Sequence, residues 1–150
     1  MPVTPADIYH VAERLNFGIQ IKNTEESCLR TAAGRAYYAA FHSIRESLGS
    51  LKGVRDPSDV GQYNLSHQTL VSFVAGFGLA DVEAVGETLR GLLQFRYVAD
   101  YWIANKIDPR TVGFMVRDAQ GIVRDQAKIK GRLAKKTPPR HEEPQYRPKS

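Results

Sequence analysis

Residues 27–48 read SCLRTAAGRAYYAAFHSIRESL, and this stretch decides the fold of the chain. Five alanines lie at positions 32, 33, 36, 39 and 40, and alanine has the highest helix propensity of all residues. The stretch therefore predicts a long helix with little side chain on one side, which other helices can approach closely. On such a helix Arg35 and His42 would stand two turns apart on nearly the same face.

Helical periodicity continues on both sides of this stretch, and no strand-like alternation of useful length occurs, so the fold class is all-α. Thr4 before Pro5 predicts a helix start. The alanine-rich helix is expected to end at Leu48, before Gly49, and a polar loop is expected over residues 49–64. The five expected helices begin near Pro5, Glu25, Ser66, Asp81 and Pro109, and the fourth reaches about Ile103.

A chain of 150 residues is long enough for one domain with a core and too short for two. We expect a helical domain over residues 1–130 and a disordered basic tail over residues 131–150, where aliphatic side chains are almost absent. Residues 128–150 hold eight of the 21 Lys and Arg but two of the 16 Asp and Glu. The formal charge of +5 therefore belongs to this end, and by itself it does not indicate nucleic-acid binding by the domain.

Composition and motifs also argue against several classes of protein. No apolar run approaches the roughly 20 residues that cross a bilayer, and the N-terminus has no secretory pattern, so we expect a cytoplasmic protein without membrane contact. The single cysteine, Cys28, allows neither an intrachain disulfide nor a thiolate metal site. Metal-ligand spacings, glycine-rich phosphate loops and nucleophile motifs are not found, so no metal or cofactor is expected.

Three stretches resemble, in this order, motifs of the HEPN superfamily. They read RAYYAAFH at residues 35–42, SHQTL at residues 66–70 and LLQFRYVADY at residues 92–101. The resemblance is to a branch of small prokaryotic members and covers about residues 5–130. It implies an antiparallel helical bundle of about five helices that forms a homodimer.

Some HEPN members cut RNA without a metal ion, using an Arg that is followed after four to six residues by a His. Such cleavage needs a base for the 2′-hydroxyl proton and a cation for the charge on the phosphate. An imidazole suits the first task near neutral pH, and a guanidinium suits the second. Arg35 and His42 have the required spacing, so the resemblance makes Arg35, His42 and Arg96 the candidate catalytic residues.

The later helix departs from the nuclease pattern. In those nucleases the Arg and the His lie on this helix, with the Arg near the position of Arg96. The residue of this chain at the expected His position is Tyr101. Two arrangements are therefore open. In one, Arg35, His42 and Arg96 converge near the dimer interface and form a site that cleaves or binds RNA. In the other, they belong to a buried polar network in which Asp100 pairs with Arg96 or Arg35.

Four further residues are candidates for supporting or binding roles in that site. Tyr38 is expected in the core or an interface, and His67 in the first turn of the third helix. Asp100 is the expected partner of an arginine, and Tyr101 is a candidate for covalent modification, since a tyrosine near the motif is modified in some relatives. Trp102 is expected to anchor packing near the end of the fourth helix.

The resemblance implies two functions of different classes. The first is an RNA-targeting protein, a metal-independent ribonuclease that acts as a toxin or an antiviral defence component. The second is a non-catalytic interaction module that binds a minimal nucleotidyltransferase antitoxin, a defence-system subunit, another protein partner or RNA. The spacing of Arg35 and His42 favours the first function, and the missing His after Arg96 favours the second.

Overall fold

The computed structural model describes residues 4–17, 25–49 and 67–135 of the chain. Within these ranges the chain forms six helices and no strand, which confirms the all-α class. The helices are α1 (Pro5–Phe17), α2 (Glu25–Gly49), α3 (His67–Ala75), α4 (Ala80–Tyr101), α5 (Pro109–Arg124) and α6 (Gln126–Lys135).

Helix α2 is the central element, and it packs against α1, α4, α5 and α6. Its alanines allow this, because all five alanines at positions 32–40 are fully buried and keep the neighbouring backbones close. Tyr37 and Ile44 are the largest fully buried side chains on the same helix. The alanine-rich stretch therefore forms the middle of the core, as its composition predicts.

Helices α2 and α4 run in opposite directions. Near the start of α2, Arg30 donates a hydrogen bond of 2.7 Å to the carbonyl oxygen of Ala99, close to the end of α4. Further along α2, the ring of Tyr38 lies 5.0 Å from the guanidinium of Arg96, which precedes Ala99 in α4. This antiparallel pairing brings the two helices that carry most of the candidate residues side by side.

Helix α5 runs in the same direction as α2, because its two ends meet the two ends of α2 in the same order. The backbone N–H of Ile107, just before α5, donates to the carboxylate of Glu26 at 3.2 Å. Beyond the end of α5, the side-chain amide of Gln126 donates to the carbonyl oxygen of Ser43 at 3.3 Å. Consecutive helices α4 and α5 are thus antiparallel, in agreement with the predicted bundle.

Two helix starts follow the local signals in the sequence. Thr4 and Asp7 form a reciprocal cap, in which the Thr4 N–H donates to Asp7 Oδ2 at 2.8 Å and the Asp7 N–H donates to Thr4 Oγ1 at 3.2 Å. Asp108 caps α5 by accepting from the N–H of Arg110 at 3.1 Å, and Pro109 is the first helical residue. These contacts leave few backbone N–H groups of the first turns without a partner.

The C-terminal part of the domain is longer than the sequence predicts. Helix α6 extends to Lys135, so residues 131–135 are helical rather than part of a disordered tail. Leu133 is fully buried there, and the burial of Leu133 and Ile129 stabilises α6. The basic composition of this segment resembles that of a disordered tail, so the sequence does not predict the helix. Three other predictions fall outside the described residues. They are the tail from residue 136 onward, the loop from residue 50 to residue 64, and the cap at Ser66.

Across the described ranges, no helix combines the length and the apolar character that spanning a membrane requires.

Arg30 holds the connection between α4 and α5 against α2, and its replacement by methionine is expected to destabilise the fold by about 2 kcal/mol. Its guanidinium donates to Ala99 O, to Asn105 O at 2.5 Å and to Glu26 at 2.7 Å, and the side chain is 14% exposed. Urea denaturation monitored by circular dichroism would measure the loss. The matched control is Arg90→Met, whose described ion pair is a surface contact with Glu87 and which should change stability by less than about 0.5 kcal/mol. Equal effects of the two variants would contradict this role of Arg30.

Candidate functional site

Three helices bring polar candidate residues together around the ring of Tyr38 on α2. The guanidinium of Arg96 on α4 lies 5.0 Å from the ring centre. The imidazole of His67 on α3 is 5.7 Å away in an edge-on orientation, and the imidazole of His42 is 6.2 Å away and stacked. We call Tyr38, His42, His67, Arg96 and Asp100 the Tyr38 cluster.

Helical spacing explains how each residue reaches the cluster. Tyr38 and His42 are four residues apart on α2 and half-buried, at the edge of the helix beside its buried alanine face. Arg96 and Asp100 are likewise four residues apart on α4. His67 is the first residue of α3, so the docking of α3 onto α4 decides its position.

Arg96 is held by one carboxylate and keeps part of its hydrogen-bonding capacity. Its Nε donates to Asp100 Oδ2 at 2.9 Å, and its side chain is 13% exposed. Burial acts to lower the pKa of the guanidinium, but Tyr38 and Asp100 together raise it, so the charge is retained. Nη1 and Nη2 form no hydrogen bond with any residue that the structure describes. They are the donors that could bind two oxygens of a phosphate.

His67 is fixed by a hydrogen bond to a buried tyrosine. Its Nδ1 lies 2.6 Å from the hydroxyl of Tyr37, and its ring packs 4.5 Å from the ring of Phe41. Burial, followed by the positive charge of Arg96 and the nearby His42, lowers the pKa of His67. Because burial also raises the pKa of Tyr37, the hydroxyl keeps its proton and can donate it to unprotonated Nδ1. The ring proton of neutral His67 is then on Nε2.

His42 is the second imidazole of the cluster with a lowered pKa. Burial is the main cause, the charge of Arg45 adds to it, and Glu46 opposes it. Near pH 7 the imidazole is therefore neutral and can accept a proton. The cation that acts on the pKa of His42 is Arg45, whereas Arg96 acts on the pKa of His67. A neutral imidazole and a permanent cation are the groups that phosphodiester cleavage in RNA requires.

Arg35, the first residue of the predicted motif, lies outside the Tyr38 cluster. Its side chain is exposed on α2, two helical turns from His42, and it forms no hydrogen bond or ion pair with any residue whose side chain is described. Of the two predicted partners for Asp100, Arg96 is the one observed. Arg96 and Asp100 are thus paired, as the second predicted arrangement has them, and His42 and Arg96 each lie near the ring of Tyr38.

The end of α4 differs from the prediction for Trp102. Instead of anchoring the core, Trp102 is 61% exposed, because α4 ends at Tyr101 and the chain turns there. Tyr101 is also exposed, and its ring lies 6.0 Å from that of Tyr97. Tyr97, which sequence reasoning did not single out, also lies near the guanidinium of Arg96 at 5.7 Å. The sequence signal for the exposed rings of Tyr97, Tyr101 and Trp102 was a helix end rich in aromatic residues.

Within the described part of the chain, no three His, Cys, Asp or Glu side chains are grouped closely enough to hold a metal ion. Cys28 is half-buried on α2.

No protein-family model matches this chain, and no curated protein or solved structure matches it.

Proposed function

We propose that this protein is an RNA-targeting protein of the HEPN type that cleaves RNA without a metal ion, at the Tyr38 cluster. The observation that supports the proposal is the convergence of two imidazoles with lowered pKa and one guanidinium around a single ring. These groups come from three helices of a packed domain, so their relative positions are fixed before a substrate binds. Such preorganisation is what makes positioned bases and cations effective.

His42 is the general base in this proposal. It accepts the proton of a 2′-hydroxyl, and the freed oxygen attacks the adjacent phosphorus. Nη1 and Nη2 of Arg96 donate to the non-bridging oxygens as negative charge develops on them. The bond from phosphorus to the 5′-oxygen breaks, the leaving oxygen takes a proton from water, and one product ends in a 2′,3′-cyclic phosphate.

The other candidate residues have supporting roles. Asp100 orients the guanidinium of Arg96 through the hydrogen bond to Nε, which leaves the two terminal nitrogens for phosphate. His67 offers its Nε2 proton to a phosphate oxygen, since its Nδ1 is engaged by Tyr37. Arg35 lies two helical turns from His42 on α2. That separation suits contact with the phosphate of a neighbouring nucleotide rather than with the phosphate that is attacked.

The biological setting belongs to the same proposal. We propose that the protein forms a homodimer in the cytoplasm and acts as a toxin or a defence component. A minimal nucleotidyltransferase antitoxin or a defence-system subunit is the proposed protein partner. The strong exposure of Tyr101 makes its hydroxyl reachable by a modifying enzyme, which supports its candidacy as the modified residue.

A non-catalytic interaction module is the second candidate function. The ion pair between Arg96 and Asp100 and the hydrogen bond between Tyr37 and His67 favour it, because each gives a cluster residue a structural partner. In that case the cluster stabilises the junction of α2, α3 and α4, and the function depends on the surface of the bundle.

Cleavage of RNA by the purified protein in EDTA separates the two functions. Wild type is expected to release fragments with 2′,3′-cyclic phosphate ends, and Arg96→Ala to be about 100-fold slower, because the charge on the phosphate loses its cation. Arg90→Ala is the matched control, since Arg90 is on the same helix and pairs only with Glu87 in the described region. It should cleave within about twofold of wild type. If folded wild-type protein leaves a broad panel of RNAs intact, the ribonuclease proposal fails and the interaction module takes its place.

A further inference from the structure

Four large side chains in the last turns of α4 and just beyond its end are exposed to solvent. Tyr97 is 43% exposed, Tyr101 66%, Trp102 61% and Ile103 78%. Single exposed apolar residues are ordinary on protein surfaces, but neighbouring aromatic rings that avoid the core mark a binding surface. We call Tyr97, Tyr101 and Trp102 the α4 aromatic surface.

Two rings of the α4 aromatic surface, those of Tyr97 and Tyr101, extend from the Tyr38 cluster. Tyr97 and Tyr101 are four residues apart, their ring centres are 6.0 Å apart and their planes differ by 30°. The ring of Tyr97 lies 5.7 Å from the guanidinium of Arg96, which in turn lies over Tyr38. A ligand bound at the cluster would therefore meet Tyr97 first and Tyr101 next, one turn further along the helix.

Three exposed basic residues without described acidic partners lie on the neighbouring helix or follow this surface along the chain. Arg35 is on the neighbouring helix, next to Gly34, whose position faces Asp100. Lys106 and Arg110 follow Trp102 in the turn and the first turn of α5, and both are exposed.

The nearby carboxylates do not neutralise these cations. Asp100 is paired with Arg96, Glu26 with Arg30, and Asp108 caps the start of α5. Among the described residues, these basic side chains have no acidic partner, and aromatic rings together with basic side chains complement a polyanion that also carries planar bases.

We infer that the α4 aromatic surface binds unpaired bases of single-stranded RNA, with Tyr101 and Trp102 as stacking residues and Arg35 and Lys106 as phosphate contacts. Stacking on aromatic side chains beside basic residues is the general way in which proteins hold single strands without reading sequence. The inference takes its ligand from the proposed function, but it does not require that the RNA is cut.

Binding of a labelled single strand of about 12 nucleotides, measured by fluorescence anisotropy, tests the surface. A fully 2′-O-methylated strand is the probe, because it has no free 2′-hydroxyl and cannot be cleaved by the proposed reaction. Salt of about 150 mM limits non-specific attraction to the basic C-terminus. We expect Tyr101→Ala and Trp102→Ala each to weaken binding about tenfold, the loss that one stacked base typically causes.

Phe114→Ala is the matched control, because Phe114 is 59% exposed on α5 and has Arg117 4.9 Å from its ring. It should bind within about twofold of wild type, which separates the α4 aromatic surface from general adsorption to exposed rings. An abasic strand of equal length and charge should bind wild type and Trp102→Ala equally weakly.

Three results would overturn the inference: unchanged binding by Trp102→Ala, an equal loss in Phe114→Ala, or tight binding of the abasic strand. The probe also separates this inference from the ribonuclease proposal. Stacking-dependent binding of the methylated strand together with intact RNA in the EDTA assay would retain the surface and reject cleavage. Cleavage that is unaffected by Tyr101→Ala and Trp102→Ala, with unchanged binding, would retain the ribonuclease and reject the surface.

Discussion

Replacing His42 by alanine is expected to slow metal-independent RNA cleavage by about 1,000-fold, within the range that a general base contributes. His42 has a lowered pKa because it is half-buried and close to Arg45, so it is neutral and able to accept a proton at pH 7. Alanine removes the base but leaves Arg96 and its partner Asp100 in place. Initial rates on one RNA substrate in EDTA would measure the loss.

The pH profile of the wild-type rate provides a second measurement of the same role. A base must be unprotonated to act, so the rate rises with pH while His42 loses its proton and then becomes constant. Because the pKa of His42 is below the ordinary 6.5, we expect the plateau to be reached by about pH 7. A rate that still rises steeply between pH 7 and pH 8 would mean that another group is the base.

The control for this prediction is His10→Ala. His10 is an exposed imidazole on α1 whose described ion pair is a 3.5 Å contact with Glu13, so its loss should leave cleavage within about twofold of wild type. Circular dichroism would verify that both variants are folded. Retention of the wild-type rate in folded His42→Ala would remove His42 from the catalytic role.

The parts of the fold that the sequence predicts are those that depend on local signals. The alanine-rich α2, the cap at Thr4 and the start of α5 at Asp108 and Pro109 each require information from a few neighbouring residues. The ion pair between Arg96 and Asp100 has the same origin, because a spacing of four residues on a helix brings their side chains together.

The features that the sequence does not predict depend on how helices dock. His67 joins the cluster only because α3 packs on α4 and places its first residue against Tyr37. Trp102 is exposed because α4 ends at Tyr101, before the end predicted near Ile103. The apolar character of a segment alone does not show where its helix ends. Helix α6 is missed for a related reason, since its buried side chains are few and its composition is that of a basic tail.

The docking of α3 on α4 depends on Gly86, and replacing this residue by alanine is expected to destabilise the protein by about 3 kcal/mol. Gly86 is buried on α4, directly under the end of α3. A Cβ atom there would stand 2.8 Å from the carbonyl carbon of Val74 and closer still to the backbone of Ala75. These atoms are backbone, so the methyl group cannot be accommodated by a side-chain rotation, and α3 must move away from α4.

Gly91 provides a control on the same helix, because a Cβ atom there meets nothing within 4 Å. Gly91→Ala should stabilise the protein by about 0.5–1 kcal/mol, since alanine favours the helix over glycine at an exposed site. The same substitution five residues apart is thus expected to change the free energy of unfolding in opposite directions, which urea denaturation would show. Two stabilising substitutions would contradict the close contact between α3 and α4.

Because α3 also carries His67, a folded Gly86→Ala protein should have a weakened contact between His67 and Tyr37. The nuclear magnetic resonance shifts of the His67 imidazole would report this change.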